Sequence, residues 1–220
     1  MSSKIKVDTI ENVAGSGNVS LGSGHNLVVP GTLNITGAST LTGGIANAGT
    51  ITAGTIGSSV VLPAGCILQV LSTTKTDTFD STSTSLVDIT GMSVTITPKY
   101  ATSKVLVMFN VHIVGDDAGT GIQLVRGSTE IAKADASSSR RVHTAIGYFS
   151  NNTSPSAYNG GLTSHQFLDS PSTTSATTYK LQGRVLSSGF RVNKTRYNTD
   201  NGNASRGVST MTLMLSLIHI

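Results

Sequence analysis

Charged side chains make up only 12% of the 220 residues, and the formal net charge is +4 at pH 7. Ser and Thr together account for 61 residues and there is no Trp, a composition typical of an all-β protein. The basic residues are scattered, apart from the pair Arg140 and Arg141 and the group Arg191, Lys194 and Arg196. Because no basic run carries interleaved aromatic residues, the sequence predicts no nucleic-acid partner and favours solvated surface for these side chains.

The first predicted elements are an N-terminal attachment segment, residues 1–26, and a Gly/Thr-rich β-repeat shaft, residues 27–63. No Asp, Glu, Lys or Arg occurs between Glu11 and Lys75, and from Gly31 onward a Gly recurs roughly every six residues. Since short strands need alternating apolar residues and tight turns need Gly, this spacing predicts very short strands joined by turns. Each repeat has too few aliphatic residues to bury itself, which predicts an intertwined homotrimer.

Two alternatives compete with the shaft. A flexible Gly/Ser/Thr linker would seldom carry Leu, Ile or Val at such even spacing. A membrane span needs about 20 predominantly apolar residues, and here Gly, Asn and Thr interrupt every apolar run. The sequence therefore favours a shaft and predicts no membrane insertion.

Residues 64–220 are predicted to form a β-sandwich head, resembling a jelly roll. Longer alternating strands follow one another from residue 67 without a convincing helix, which indicates a sandwich or jelly roll. The predicted strands are Ile67–Ser72, Ser85–Ile89, Ser93–Thr97, Lys104–Val114, Gly121–Arg126, Glu130–Lys133, Arg141–Phe149, Leu162–Leu168, Thr177–Leu186, Gly189–Val192 and Gly207–Leu215.

The strand Lys104–Val114 is apolar on both faces. One face carries the five residues from Val105 to Ile113 at every second position, and the other carries Leu106 and Met108. This pattern predicts burial on both sides, under a second sheet or at a subunit contact.

Catalytic and metal-binding patterns are weak. The three central histidines, His112, His143 and His165, are far apart in the sequence. Two pairs of carboxylates, Asp77 with Asp80 and the adjacent Asp116 with Asp117, offer a hydrolase carboxylate pair or a Ca²⁺ site, but Ca²⁺ loops carry several spaced carboxylates. No Gly-x-Ser-x-Gly elbow or phosphate loop is present. We therefore expect no catalytic residue, no metal and no cofactor.

Several blocks of the sequence resemble tail-fibre or host-attachment proteins of tailed bacteriophages. The blocks are SKIKVDTIENVAGSGNVSLG and VVPGTLNITGASTLTGG near the N-terminus, and AGCILQVLSTTKTDTF, TSLVDITGMSVTITPKYATSKVLVMFNV, IQLVRGSTEIAKADA, LDSPSTTSATTYKLQGRV and ASRGVSTMTLM in the head. The resemblance covers nearly the whole chain, but its motifs are structural and identify no receptor.

The last residues depart from that resemblance. The chain ends LSLIHI, residues 215–220, where such heads usually close on a Met-Glu-Ile-like strand. These six residues match the translation of a transposase end sequence used as a sequencing adapter, so they are either an artefact or a genuine apolar last strand.

The resemblance implies a virion tail fibre that presents its head for attachment to the host cell surface and is not an enzyme. The implied partners are two further copies of the chain, virion tail or baseplate proteins at the N-terminus, and a host glycan or outer-membrane component. Because Met1–Asn12 has no apolar core of a secretion signal, we expect release into the extracellular medium by host lysis.

Polar and aromatic residues in predicted loops are the candidate receptor contacts, since loops on a rigid scaffold commonly carry binding residues. They are Tyr158, Asn159, Tyr197, Asn198 and Arg206. Two other functions stay open, namely a purely structural collar or decoration fibre and, with less support, a polysaccharide-degrading tailspike.

Overall fold

The structure, a computed structural model, describes residues 65–116, 119–149 and 158–216. All of these residues belong to one compact unit, Gly57–Ile220. The predicted attachment segment and shaft, and the last four residues of the chain, lie outside the described residues and stay predictions.

Twelve β-strands and no α-helix are found within the described ranges. The strands are β1 Ile67–Lys75, β2 Phe79–Ser81, β3 Val87–Ile96, β4 Lys104–Gly115, β5 Gly121–Arg126, β6 Thr129–Ile131, β7 Ala145–Ile146, β8 Tyr148–Phe149, β9 Gly161–Asp169, β10 Thr177–Arg184, β11 Phe190–Val192 and β12 Ser209–Ser216.

The strands form two facing sheets. The larger sheet has the order β1-β12-β4-β11-β2, with β8 and β9 also paired to β4, and the smaller has the order β3-β10-β5-β6, with β7 paired to β5. All pairs are antiparallel except β4 with β8. The prediction of an all-β sandwich head is confirmed.

The winding of the chain is that of a jelly roll. Among the eight principal strands, the first pairs with the last (β1 with β12), the second with the seventh (β3 with β10), the third with the sixth (β4 with β9), and the middle two with each other (β5 with β6). Such nested pairing describes one long antiparallel hairpin rolled up so that its successive pairs alternate between two sheets. The two ends of the hairpin, β1 and β12, therefore lie side by side.

The core lies between the two sheets and is built by alternation. Inward positions along β4 and β12 are buried, including Val107, Phe109 and Leu213. The smaller sheet contributes Leu124 and Leu181, also fully buried, from β5 and β10. Residues at every second position of a strand point to one face, so these apolar series meet in a single cluster.

Leu215 and Ser216, the first two residues of the questioned C-terminal segment, lie within β12. Leu215 pairs with Val105 and is 2% exposed. It continues the buried series begun by Met211 and Leu213.

Ion pairing joins the two sheets at the edge of the sandwich. Asp169, at the end of β9, accepts hydrogen bonds from Arg126 Nη1 at 2.9 Å and from the Tyr179 hydroxyl at 2.6 Å. Burial and the neighbouring carboxylate raise the pKa of Tyr179 well above its usual value. The side chains of β5 and β10 thus hold the edge strand of the opposite sheet.

Three of the predicted strands differ in the structure by more than the position of their ends. The residues predicted as two strands around Gly91 form one continuous β3, whose register against β10 shifts there, and Gly91 has a φ of +85°. A bulge needs such a backbone, which Gly adopts without steric cost. The strand predicted at Arg141–Phe149 was wrong, since only the two short strands β7 and β8 form.

The segment that leads to β7 crosses the outer face of β5 and is held there by side chains. Buried Gln123 donates to the carbonyls of Leu124 at 2.9 Å and Ile131 at 2.8 Å, and Thr144 accepts from the backbone of Leu124 at 2.9 Å. Bonds of this kind do not require the ladder of a regular strand, and backbone bonding of the segment to β5 is present at Thr144, whose N–H donates to the carbonyl of Ile122 at 3.0 Å.

The prediction that β4 is buried on both faces holds for one face only within the described residues. Its outward face carries Leu106, which is half-buried and stands in an apolar row across four strands with Val70, Met214 and Leu168. Val70 is 53% exposed and Leu168 is 41% exposed. The alternative of a subunit contact on this face stays a prediction.

Candidate functional site

The connections between strands differ sharply in length at the two ends of the sandwich. The base end, defined by the first residue of β1 and the last of β12, carries the short connections 97–103, 127–128 and 170–176. The opposite end, here the distal end, carries the described residues of the connections 76–86, 116–120, 132–160 and 185–208. Antiparallel strands place alternate connections at the same end of the sandwich, and three of the four distal connections are long. Loop surface is therefore concentrated at the distal end.

All five residues predicted as receptor contacts lie in distal connections. Tyr158 and Tyr197 belong to different connections, yet their rings meet edge to face with centroids 5.7 Å apart. Asn159 and Asn198 are the exposed next neighbours of these tyrosines, and Arg206 is exposed on the same connection as Tyr197, where its backbone bridges to that of Lys194. The structure thus brings the two predicted tyrosines together, while their role in binding stays a prediction.

His112 explains why these two connections approach each other. Its ring lies on the outward side of β4, where a Cβ atom added at Gly160 would come within 2.4 Å of Cε1 and one added at Gly207 within 2.7 Å of Cγ. Only residues without a side chain allow the backbone of both connections to pack this closely on the ring. Burial lowers the pKa of His112 below its usual value.

The tyrosine pair rests on an ordered polar turn. Hydrogen bonds from Asn201, and secondly from Thr199, lower the pKa of the Tyr158 hydroxyl. The Asn201 side chain also bonds to Thr199 Oγ1 at 2.9 Å and accepts from the backbone of Asn203 at 2.9 Å. The aromatic rings are therefore presented from a fixed loop.

A second group of distal side chains is an ion-pair cluster. Lys194 Nζ lies 2.6 Å from Asp80, and Arg191 pairs with Asp116 and lies 3.7 Å from Asp80. Arg196 lies 3.7 Å from the carboxylate of Asp116. Burial is the main cause that lowers the pKa of Arg191.

This cluster includes two of the carboxylates, Asp80 and Asp116, that the sequence analysis named for a hydrolase carboxylate pair or a Ca²⁺ site. Asp80 and Asp116 are each occupied by cationic side chains, and Asp77 binds Lys75 at 2.8 Å. Within the described ranges no group of three or more His, Cys, Asp or Glu side chains could hold a metal ion. The arrangement of these carboxylates suits structural ion pairing.

The third distal feature is a cavity of about 420 Å³ beside the segment that covers β5. Its lining includes the polar side chains of Ser139, Arg140, Arg141 and His143 and the aliphatic side chains of Ile146 and Leu186. Ile146 is 78% exposed and Leu186 is 50% exposed. The cavity therefore combines cationic side chains with uncovered apolar ones.

His143 is the most unusual group of this cavity. It is 9% exposed, packs against the backbone of Gly121, and neither ring nitrogen has a hydrogen-bond partner among the described residues. Burial lowers its pKa to about 4, with further lowering by Arg184 and then Arg141. A neutral imidazole at physiological pH therefore sits beside two cations.

Sequence reasoning missed this cavity. It assigned Arg140 and Arg141 to solvated surface and considered His143 only with the distant His112 and His165. The structure places His112 and His165 in β4 and β9, whereas His143 lies in the segment over the other sheet. The one available signal was the local sequence Arg-Arg-Val-His at residues 140–143, which has no distinctive spacing.

Not one helix in the described part of the chain has the length and apolarity that a bilayer crossing requires.

Comparison with known proteins gives little beyond the fold. No protein-family model matches the chain, and no curated protein matches it. Solved structures do match, among them a chain of a structure of infectious bursal disease virus Gt strain, with 15% sequence identity and a TM-score of 0.35. That match covers 76% of this chain and 44% of the viral chain, so this chain matches less than half the length of the viral one. A likeness this distant carries no inference about function.

Proposed function

We propose that the protein is a trimeric virion fibre whose jelly-roll head attaches the particle to a host cell surface through its distal end. The observation that carries the proposal is the difference between the two ends of the sandwich. The described residues begin at Gly65, next to the first residue of β1 at the base, while the loops with exposed aromatic, amide and cationic side chains lie at the other end. This arrangement suits presentation of a binding surface at a distance from the particle.

The jelly-roll fold is compatible with a virion attachment protein but does not by itself identify the function. Jelly rolls occur in viral capsid and lectin domains, but a fold hosts many functions and only the site can argue for one. The distal end contains a tyrosine pair and a cationic cavity, which suit binding of polar surface molecules. Under this proposal the protein binds and does not catalyse a reaction.

We propose that the outer face of the larger sheet is the contact between copies in the head. The row Val70, Met214, Leu106 and Leu168 crosses four strands close to the base. In a trimer held together along the predicted shaft, residues 27–63, the three bases are brought together by the chains that join them. Burial of the apolar row against a second copy then adds about 25 cal/mol for each Å² removed from water.

We expect the full chain to be a homotrimer. Light scattering should give about three times the chain mass of 22.6 kDa. Leu106→Lys should raise the concentration needed for assembly at least tenfold, because it places a charge in the middle of the row. The matched control, Thr95→Lys on the exposed face of the smaller sheet, should leave assembly unchanged. A folded monomer at micromolar concentration contradicts the trimer, and an unaffected Leu106→Lys trimer contradicts the assigned face.

We also expect the fluorescently labelled full chain to adsorb to a strain on which the parent virus forms plaques. A double variant, Tyr158→Ala with Tyr197→Ala, should reduce adsorption at least tenfold, since three copies of a weak site act together in a trimer. Tyr100→Ala changes an aromatic residue in a base turn and is the matched control, which should adsorb normally.

Different results would favour the other functions. Absence of adsorption, together with immunogold labelling at the collar or on the virion body, would support a purely structural fibre. Shortening of purified host polysaccharide by the protein would support a tailspike enzyme and contradict a non-catalytic attachment fibre.

A further inference from the structure

The cavity lined by Arg140, Arg141 and His143 has more positive than negative side chains among the described residues around it. Arg140 and Arg141 line it, and Arg184 and Lys133 lie close enough to lower the pKa of its histidine. Among the described residues, the one acidic group that affects the pKa of this histidine is Glu130, which is paired with Lys133 at 2.7 Å. A cleft lined by one sign of charge attracts ligands of the opposite sign.

The two arginines that line the cavity differ in how firmly hydrogen bonds hold their guanidinium groups. Arg141 donates through Nη1 to the carbonyl of Val185 at 2.8 Å and to that of Thr84 at 3.4 Å, which fixes the guanidinium at the rim. Arg140 is exposed, and its described side-chain bond is a long one of 3.4 Å to Ser137. Guanidinium groups bind carboxylates and phosphates through paired N–H donors. An anion can thus be held between a fixed and an adaptable arginine.

The aliphatic residues in the cavity lining limit the kind of anion. Ile146 and Leu186 expose much of their side chains there, and a small inorganic ion gains nothing from them. A volume of about 420 Å³ is within the range of small-molecule sites and exceeds the needs of one sulfate or phosphate. Among the described residues its lining contains no Phe, Tyr or Trp ring on which a nucleic-acid base could stack. The cavity therefore suits an anion that also has an apolar face.

Sugar residues with a carboxylate have this combination of properties. Their C–H faces pack on aliphatic or aromatic side chains, and their carboxylate accepts from guanidinium groups. We propose that the cavity lined by Arg140, Arg141, His143, Ile146 and Leu186 binds a carboxylate-bearing sugar residue, such as a uronic acid of a host surface polysaccharide. This inference rests on the proposed attachment function and names the ligand class for it.

His143 gives the site a dependence on pH. Its ring is neutral at pH 7 since burial and the cations Arg184, Arg141 and Lys133 outweigh the opposing effect of Glu130. An anion bound in the cavity favours the protonated imidazole, so ligand binding raises the pKa of His143. By linkage, the affinity for the anion rises as the pH falls below the pKa of the complex.

The binding test compares two sugars that differ only in the carboxylate. The purified full chain is titrated with methyl glucuronoside, methyl glucoside and inorganic phosphate, and binding is followed by ligand-observed and histidine-ring NMR. We expect the glucuronoside to bind at least tenfold more tightly than either other probe and to shift the His143 titration to higher pH. Equal affinity for the two sugars would overturn the proposal, as would tighter binding of phosphate.

Variants at exposed positions keep the test independent of folding. Arg140→Ala should weaken glucuronoside binding at least tenfold, and Ile146→Ser should weaken it several-fold. Lys99→Ala removes one cation from an exposed base turn and is the matched control, which should bind normally. Unchanged binding by Arg140→Ala would contradict the assigned site.

Cell adsorption separates the failure of this inference from that of the proposed function. Adsorption that persists in Arg140→Ala and is not competed by glucuronoside leaves attachment intact and overturns the assigned ligand class. Glucuronoside binding without any adsorption to a susceptible host supports the ligand class and contradicts attachment.

Discussion

Asn193→Ala should lower the free energy of unfolding by about 3 to 5 kcal/mol, the largest single-site effect that we expect in the head. Asn193 is fully buried. Its amide donates to the carbonyls of Lys75 at 2.8 Å and Asp77 at 2.9 Å, and its side-chain oxygen accepts from Ser209 Oγ at 2.6 Å. Truncation leaves these buried groups unpaired, and each costs about 1 to 3 kcal/mol.

The backbone of Asn193 adds to this cost. Its φ is +61°, a left-handed conformation that Asn tolerates better than most residues with a side chain. Its N–H donates to the carbonyl of His112 at 2.9 Å and its carbonyl accepts from Gly207 at 3.2 Å. The residue therefore ties the connection 185–208 to β1, β4 and β12 at the point where the distal loops begin.

Urea unfolding at pH 7 measures the effect. Asn193→Gly keeps the left-handed backbone without strain but loses the side-chain bonds, so it should be less destabilised than Asn193→Ala. Asn198→Ala, at an exposed loop position, should change stability by less than about 0.5 kcal/mol. A cost below 1 kcal/mol for Asn193→Ala would show that the network contributes little.

The second large effect is a loss of stability on acidification, caused by His143. Its pKa is lowered to about 4 in the folded protein, whereas an unfolded chain binds the proton near pH 6.5. Between these values the unfolded state holds more protons, so stability increases with pH in this window and is lost as the pH falls from about 6.5 to 4. The total loss is about 2 to 3 kcal/mol.

His143→Phe keeps an aromatic ring on Gly121 and removes the titration. Unfolding experiments across this pH range, at constant ionic strength and without carboxylate buffers, should give a flatter profile for the variant. Asp77 and Asp88 also have lowered pKa values, chiefly through hydrogen bonds from Lys75 and Lys180. They lose their contribution at lower pH in both proteins, so the difference between the two profiles isolates His143. Parallel profiles would contradict the assignment.

The sequence predicted the class of the head because local alternation is enough for that purpose. Tyr179 and Leu181 alternate with Lys180 and Gln182 along β10, and the structure buries the first two completely. Period-two patterns mark strands and their buried faces without knowledge of their partners. Polar loops between the strands were found for the same reason, and with them the tyrosines of the distal end.

Pairing and loop contacts required the tertiary structure. The alternation on β4 is the same whether its neighbours are β9 and β12 or any other two strands, so the nested order of the jelly roll is not contained in it. The error at residues 141–149 has a similar origin, since Gln123 and Thr144 hold that segment through long-range side-chain bonds.

The distal cavity shows most clearly which features the sequence determined and which only the tertiary structure decided. Composition and periodicity determined that this chain folds as a sandwich with polar loops, because both depend on residues close together in the sequence. Only the tertiary structure decided that Arg140, His143 and Leu186 share one cavity, because they come from connections that the rolled hairpin brings to the same end. Side chains more than forty residues apart carry no common period, and their meeting depends on the winding of the whole chain.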